Sequence, residues 1–566
     1  MKIKEFIPLI AVFLVALALR VIWLDSVPTA LAGDELYYIL AIKSAAISGH
    51  DLAGNWNILS SLLFQYPHGF PQAELSFLFL YPVVSLLPLS IFASKITYVI
   101  LSALTVIPMY LLSKKLFDER TALAAAALTA INPWQIFNGR TTYEMIPAAF
   151  FYVFAIYLLL QAKGWKILWV FPVFLLAFYS YIATKIILFP IILAVSIFAY
   201  FHNKKKYGKQ YLILNILSLI LIMVFTLIVS HSGGNRVGEI FTPANPEVIK
   251  QVNNIRQNSI SDGAVSSLLD NKFTVYIRIL IAKAINVFSF NYLFISTDPF
   301  VALYNHGLFY YVDLIFLFLG CLYMFAEKKK VFLLVMALIV ISIFPHILHL
   351  AALELFTPHL ALFLTFLLIP IAYGVSKMFD IRHKVVPIAV VGVYVLSFLN
   401  FFNIYFFQYP LLGHFDFAAR ELANYTRLAS ANGPITDYVM LPEDSFKRYI
   451  YYENELNSSN FNEINTAFAT HKYKLGNVTF DECGKMPKKL GSTTAIYQTG
   501  ECATYENPIL YTKIAILTDG GPIYRIYNDH TCADYNLKGF PKGIKISDFS
   551  VENLTPQRFC ETFVTR

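Results

Sequence analysis

The sequence predicts a polytopic α-helical membrane protein with about eleven transmembrane helices over residues 1–405 and an α+β extracytoplasmic domain over 406–566. Three observations lead there. First, of 566 residues 57% are hydrophobic and only 14% charged, well below the ~25% charged that soluble domains carry. This argues against a disordered chain, a coiled coil and a soluble enzyme of ordinary composition. Second, apolar runs of near-spanning length recur along the first 405 residues. Third, Lys and Arg are unevenly divided between the connections that join those runs.

The expected spans are 6–24, 96–112, 121–136, 146–162, 167–180, 182–201, 211–230, 308–325, 331–350, 360–378 and 385–405. The first follows Lys2 and Lys4 and precedes Ala30-Leu31-Ala32, which resembles a cleavage site. Its apolar run exceeds the ~7–15 residues of a signal-peptide core, so it is expected to be retained.

One set of connections comprises the N-terminus, 113–120, 163–166, 202–210, 327–330 and 377–384. It holds 17 Lys/Arg in 38 residues, against 10 in 172 for 25–95, 137–145, 181–185, 231–307 and 350–359. The dense set belongs in the cytoplasm. This puts the N-terminus inside and the long loops and residues 406–566 outside, in a cell (plasma) membrane protein. The net +8 is thus a matter of membrane orientation, and no nucleic-acid partner is expected.

The same alternation assigns 75–89 and 273–296 to the outer interface, although both look long enough to cross. Pro82 and Pro88 in the first and Arg278 and Lys283 in the second agree. Cys321 lies within a span, while Cys483, Cys502, Cys532 and Cys560 all lie in the tail. Four cysteines in an oxidising compartment read as two disulfides. Nearest-neighbour pairing is one of three possibilities; a zinc site is the rival, without any CxxC. The tail has helical periodicity at 418–431 and strand patterns in TKIAILTDG and PIYRIYND. It also carries four N-x-S/T sites, at Asn424, Asn457, Asn477 and Asn553.

The outer side gathers groups with chemical potential. In GDELYYILAIKSAAISG, Asp34 and Glu35 begin a helical run ending near Gly49. The helix dipole favours an ionised carboxylate there, and such an Asp can act as a base toward a hydroxyl; a capping pair is the plainer reading. In INPWQIFNGRTTYEMIP, Arg140 can grip phosphate through its forked donors. Glu144 can orient Arg140 or complete a metal site. The alternative is an interfacial ion pair with Trp134 as headgroup anchor.

Lys95, Lys185, Arg278 and Lys283 are further outer-side cations. Each alone can simply snorkel; together they suit a lipid-phosphate donor. His346 and His349 are three apart, hence on one face of a helix, with His306, Glu354 and His359 nearby. They suit either a metal or phosphate site or a set of buried imidazoles lining a polar cavity. No HExxH, Walker A, GxSxG or GxGxxG in a strand–helix setting occurs, so no nucleotide cofactor is expected; a divalent metal stays open.

RVIWLDSVPTALAGDELYYILAIKSAAISG resembles the first-span exit and Asp-Glu loop of the GT-C fold, lipid-phosphosugar-dependent glycosyltransferases of the glycosyltransferase family 39 kind. These include the protein O-mannosyltransferases and the aminoarabinose transferases of lipid A. GFPQAELSFLFLYPV, FASKITYVILSAL, SKKLFDERTALAAAALTAINPWQIFNGRTTYE, SYIATKIILFP, HGLFYYVDLIFLFLG and TPHLALFLTFLLIPIAYG follow in family order, covering roughly 1–405.

The resemblance implies Asp34 as catalytic base, Glu35 as its supporting neighbour, Glu144 in metal or donor-site organisation, and Lys95 at the lipid phosphate. Lys95, Lys185 and His359 stand where many relatives have Arg, and the tail does not resemble MIR repeats. The implied activity is transfer of a sugar from a polyprenyl-phosphate donor to an acceptor hydroxyl or amine at the outer membrane face, with inversion. The acceptor is a glycan, lipid or protein. The alternatives are a transporter or flippase of lipid-linked glycans and a non-catalytic membrane scaffold.

Overall fold

A computed structural model describes residues 6–52, 74–231, 242–260, 263–296, 306–349, 355–411, 415–487, 489–500, 502, 511–515, 522–537 and 543–566. Among them, seven helical stretches are long and apolar enough to cross a bilayer: Ile91–Leu116, Ala183–His202, Gly208–Val229, Lys272–Ile295, Lys329–Ile347, Thr357–Met378 and Val385–Leu411. Six coincide with expected spans. Three further expected spans are the shorter apolar helices Ile7–Val21, Met145–Gln161 and Gly164–Ser180. The remaining two are Glu119–Ile131 and Tyr311–Glu327.

Local chemistry explains where these helices begin and break. Asp118 caps the first turn of Glu119–Ile131 by accepting from the Thr121 N–H at 2.8 Å. The expected span 121–136 is divided at Asn132. That side chain caps a new helix, Pro133–Asn138, by accepting from the Gln135 N–H, and Pro133 takes the position where no donor is needed. Tyr311–Glu327 starts later than expected because Asp313 folds back onto the Tyr310 N–H at 2.9 Å. The last helix runs past 405 to Leu411 through a π turn, Ile404–Gln408.

Two glycines bring the bundle's centre together. A Cβ on Gly320 would meet the Pro370 carbonyl oxygen, and one on Gly374 the Phe316 carbonyl oxygen. Helices Tyr311–Glu327 and Ala361–Met378 therefore touch backbone to backbone, as small residues permit in membrane bundles. Arg20, buried in an otherwise apolar helix, donates to Ser102 Oγ (2.8 Å) and to the carbonyls of Ala16, Thr129 and Ala130. It ties three helices at one level.

Glu74–Leu86 contains Pro82 and packs beside Gly33–Ser48 and Ile91–Leu104. Lys272–Ile295 is long enough to span. Its contacts run to Pro246–Gln257 through Val248, Val252, Val275 and Ile279, and to the 346–363 end of the bundle through Lys283 and Phe288.

The tail is a mixed sheet with helices. Its strands are β1 (Ile435–Val439), β2 (Lys474–Leu475), β3 (Val478–Glu482), β4 (Thr494–Gln498), β5 (Tyr511–Ala515), β6 (Pro522–Tyr527) and β7 (Val564–Thr565), in the order β2-β3-β1-β4-β6-β5-β7. β1 lies parallel to β3 and β4, and the other pairings are antiparallel. The disulfides are Cys483–Cys502 and Cys532–Cys560, so nearest-neighbour pairing holds and the cysteines form no zinc site. Of the four sequons, Asn424 is fully buried and donates to the Val551 carbonyl, which removes it from the surface.

The tail is bolted to the bundle. Arg420 donates to the carbonyls of Thr29 (2.6 Å) and Asp25 (3.2 Å) while pairing with Glu552. Tyr451 and Tyr452 bond Ser94 Oγ and the Leu31 N–H.

Candidate active site

Helix Gly33–Ser48 starts with two carboxylates of different character. Glu35 is buried; its Oε2 accepts from the Ala32 N–H at 2.9 Å, closing the helix start. Its Oε1 accepts from both the Thr142 N–H (2.5 Å) and the Thr142 hydroxyl (3.0 Å). Glu35 therefore holds the 139–145 connection against the start of helix Gly33–Ser48. Asp34, one residue earlier, is exposed in the same first turn. One helical turn on, the Tyr38 hydroxyl donates to Glu144 Oε1.

These groups share one electrostatic environment. Burial, then Glu144 and Asp34, hold the Tyr38 hydroxyl far above its ordinary pKa. Burial, then Glu35, Asp34 and Asp416, do the same to Tyr143. Both phenols stay protonated as donors beside Asp34. The sequence reading did not single out Tyr38; its i+4 spacing from Asp34 on a helix was the available signal.

Lys95 is buried at the start of Ile91–Leu104, donates to the Ala30 carbonyl (3.3 Å) and interacts electrostatically with Glu35, Arg140, Arg420 and Asp25. It thus underlies the Asp34 loop. Arg140 does not present free donors to a phosphate. Its guanidinium donates to the carbonyls of Leu19 (3.1 Å), Ile22 (2.8 Å) and Val27 (3.2 and 2.5 Å) and rests on the rings of Tyr405 and Phe406. Burial lowers its pKa. Arg140 is thus a clamp on the end of the first helix.

A second basic group lies at the ends of other helices. Lys283 Nζ donates to the His349 carbonyl at 2.6 Å. The His349 and His359 rings are 4.5 Å apart, and His359 also meets Tyr181. Lys185 sits over Phe225 and Phe178 at 4.5 and 4.9 Å. His346 is buried, and among the described residues its Nε2 has no hydrogen-bond partner.

The shared helical face expected for His346 and His349 does not exist, because the short helix Phe344–Ile347 ends between them. Arg278 is apart from this group. It is exposed, pairs with Asp270 at 3.5 Å, and lies five residues from Lys283, about 140° around the helix. His306 bonds the Gly307 carbonyl between Tyr310 and Phe401. Glu354 lies outside the described residues.

The metal expectation for Glu144, His346, His349 and His359 finds no fitting geometry. Among the described residues no three His, Cys, Asp or Glu side chains gather as metal ligands, and Glu144 is bonded to Tyr38.

The C-terminal domain reaches the same place. Asp416 pairs with the buried Arg448 at 2.8 Å, and Arg448 also holds Asp444 at 2.9 Å. Burial raises the Asp416 carboxyl, Arg448 opposes this, and Glu35 is near enough to add to the rise.

No protein-family model and no curated protein matches the chain. Solved structures do. ArnT from Cupriavidus metallidurans in the apo state is similar over 92% of this chain and 97% of its own, with 11% identity and a TM-score of 0.51. ArnT bound to undecaprenyl phosphate gives 11% and 0.46 over 92% and 98%. The archaeal oligosaccharyltransferase AglB from Archaeoglobus fulgidus, in complex with an inhibitory peptide and a dolichol-phosphate, gives 15% and 0.45 over 88% and 69%. The likeness to apo ArnT, nearly end to end, shows that this is a multi-pass membrane protein of the GT-C fold with a C-terminal domain carrying a small sheet.

Proposed function

We propose that the protein is a membrane glycosyltransferase that moves a sugar from a polyprenyl-phosphate donor to an acceptor hydroxyl or amine at the outer face of the membrane. The observation that carries this reading is Asp34 itself. It is an exposed carboxylate in a helix first turn, flanked by two fixed links, Glu35–Thr142 and Tyr38–Glu144, that set its position.

In the proposed step the acceptor oxygen or nitrogen attacks the anomeric carbon in line with the departing phosphate. Asp34 accepts the acceptor's proton. The bond between anomeric carbon and phosphate oxygen breaks, and the electron pair leaves with the lipid phosphate. One displacement inverts the configuration. Lys95, Lys283 and Lys185 supply positive charge toward the phosphate. Glu35 and Tyr38 act as positioning residues.

The reading includes an orientation: N-terminus in the cytoplasm, and C-terminal domain outside, where its two disulfides are stable.

The test is incubation of purified full-length protein with a panel of polyprenyl-phosphate sugars, following carrier release. Wild type is expected to turn over at least one carrier, and Asp34→Asn to lose ~10²–10⁴-fold with unchanged melting. Wild-type rates in a well-expressed Asp34→Asn protein would remove Asp34 from the chemistry. Turnover of none of the panel would count against the donor class.

A further inference from the structure

A cavity of about 800 Å³ opens between helices Ile7–Val21, Glu119–Ile131, Ala361–Met378 and Val385–Asn403. Leu19, Ala127, Ile131, Val391 and Phe398 are among the apolar side chains lining it, and Arg120 stands at one end. From Arg120 to Ile131 along the helix is about 16 Å, close to one leaflet of a ~30 Å hydrocarbon core. The walls are therefore apolar over the depth that a lipid chain occupies, and the single charged lining residue lies at the level of one set of headgroups.

That end of the bundle is cationic. Arg120 is two-thirds exposed and reaches Asp380 at 2.6 Å across the gap between its own helix and the 377–384 connection. Arg382 and Lys384, on the same connection, are exposed. Asp380 pairs with Arg120, while Arg382 and Lys384 add positive charge beside it on the same connection. An apolar slot closed by a cationic rim matches a molecule with an apolar chain and an anionic head.

We infer that this groove is a binding site for an anionic glycerophospholipid of the leaflet at the basic end of the bundle, with one acyl chain in the slot and its phosphate on Arg120. The site is separate from the basic group around Lys283 and His359, which lies at the start of helix Ala361–Met378, whereas Val375 and Ser376 of the groove lie at its end. Binding brings the phosphate into competition with Asp380 for the Arg120 guanidinium.

The experiment measures binding and thermal stabilisation of the purified full-length protein by phosphatidylglycerol, phosphatidylcholine with the same chains, and glycerol phosphate alone. Phosphatidylglycerol is expected to bind about fivefold more tightly than phosphatidylcholine, equivalent to the ~1 kcal/mol of one cation beside anionic headgroups. Glycerol phosphate should leave the melting temperature unmoved, since it has no chain for the slot. Arg120→Ala should bring phosphatidylglycerol down to the phosphatidylcholine level, and Asp380→Asn should widen the preference. Both residues are exposed, so folding is not at stake in either variant. Equal binding of the two lipids by wild type, an unchanged preference in Arg120→Ala, or stabilisation by glycerol phosphate alone would each overturn the site.

Discussion

Glu35 and Thr142 are joined between the start of helix Gly33–Ser48 and the 139–145 connection: one carboxylate oxygen accepts both the backbone N–H and the hydroxyl of Thr142. The other oxygen closes the helix start on which Asp34 stands. The placement of Asp34 relative to Glu144 thus depends on a neighbour that faces away from the exposed side.

Glu35→Gln should therefore separate position from chemistry. The amide puts an N–H against either the Ala32 or the Thr142 donor, leaving a buried group unmatched at ~1–3 kcal/mol. The expected result is a lower melting temperature together with reduced transfer, whereas Asp34→Asn reduces transfer alone. Equal melting of Glu35→Gln and wild type would mean that the Thr142 link is dispensable.

The glycine crossing offers a test of the bundle. At Gly374 an added methyl meets a backbone oxygen of Phe316, which cannot rotate aside. Gly374→Ala should destabilise by roughly 1–3 kcal/mol, read by thermal unfolding in detergent. Gly392→Ala, with open space around it, serves as the control and should melt like wild type.

The soluble domain should lose stability toward alkaline pH. Burial pushes the Asp437 carboxyl on β1 up to about 8, against a hydrogen bond from the Thr426 hydroxyl that pulls it down. Burial likewise raises Glu453 to about 7, with Arg427 opposing, and raises Glu421. A carboxyl with a raised folded pKa contributes stability that is complete below its unfolded value near ~4. That contribution is lost as pH rises through about 8 for Asp437. Melting temperature should fall across that window, and Asp437→Asn should flatten the fall. A slope unchanged by this substitution would assign the effect to other groups.

Removing the Cys532–Cys560 bridge, whose ends are 28 residues apart, should cost ~3.5 kcal/mol, and removing Cys483–Cys502, 19 apart, ~3 kcal/mol, by loop-closure entropy. Paired Cys→Ser variants in chemical unfolding measure both. Peptide mapping of the unreduced protein should recover these two links; any crossed pair contradicts the sheet topology.

The sequence by itself determined the membrane class and the order and approximate limits of most helices. Apolar run length and Lys/Arg placement are local properties that depend on the bilayer and not on what each helix touches. It also singled out Asp34 and Glu35, because a helix start shows in residue types and spacing.

The partners were decided only by the tertiary structure. Arg140 reads as a phosphate ligand in the chain, yet it spends its donors on carbonyls of the first helix, which sequence places more than a hundred residues away. The paired histidines lost their common face to a helix end, and Arg278 parted from Lys283 by rotation about one axis. A charged side chain in a low-dielectric interior takes whichever partners the fold brings within hydrogen-bond reach, and that proximity is not written in spacing along the chain.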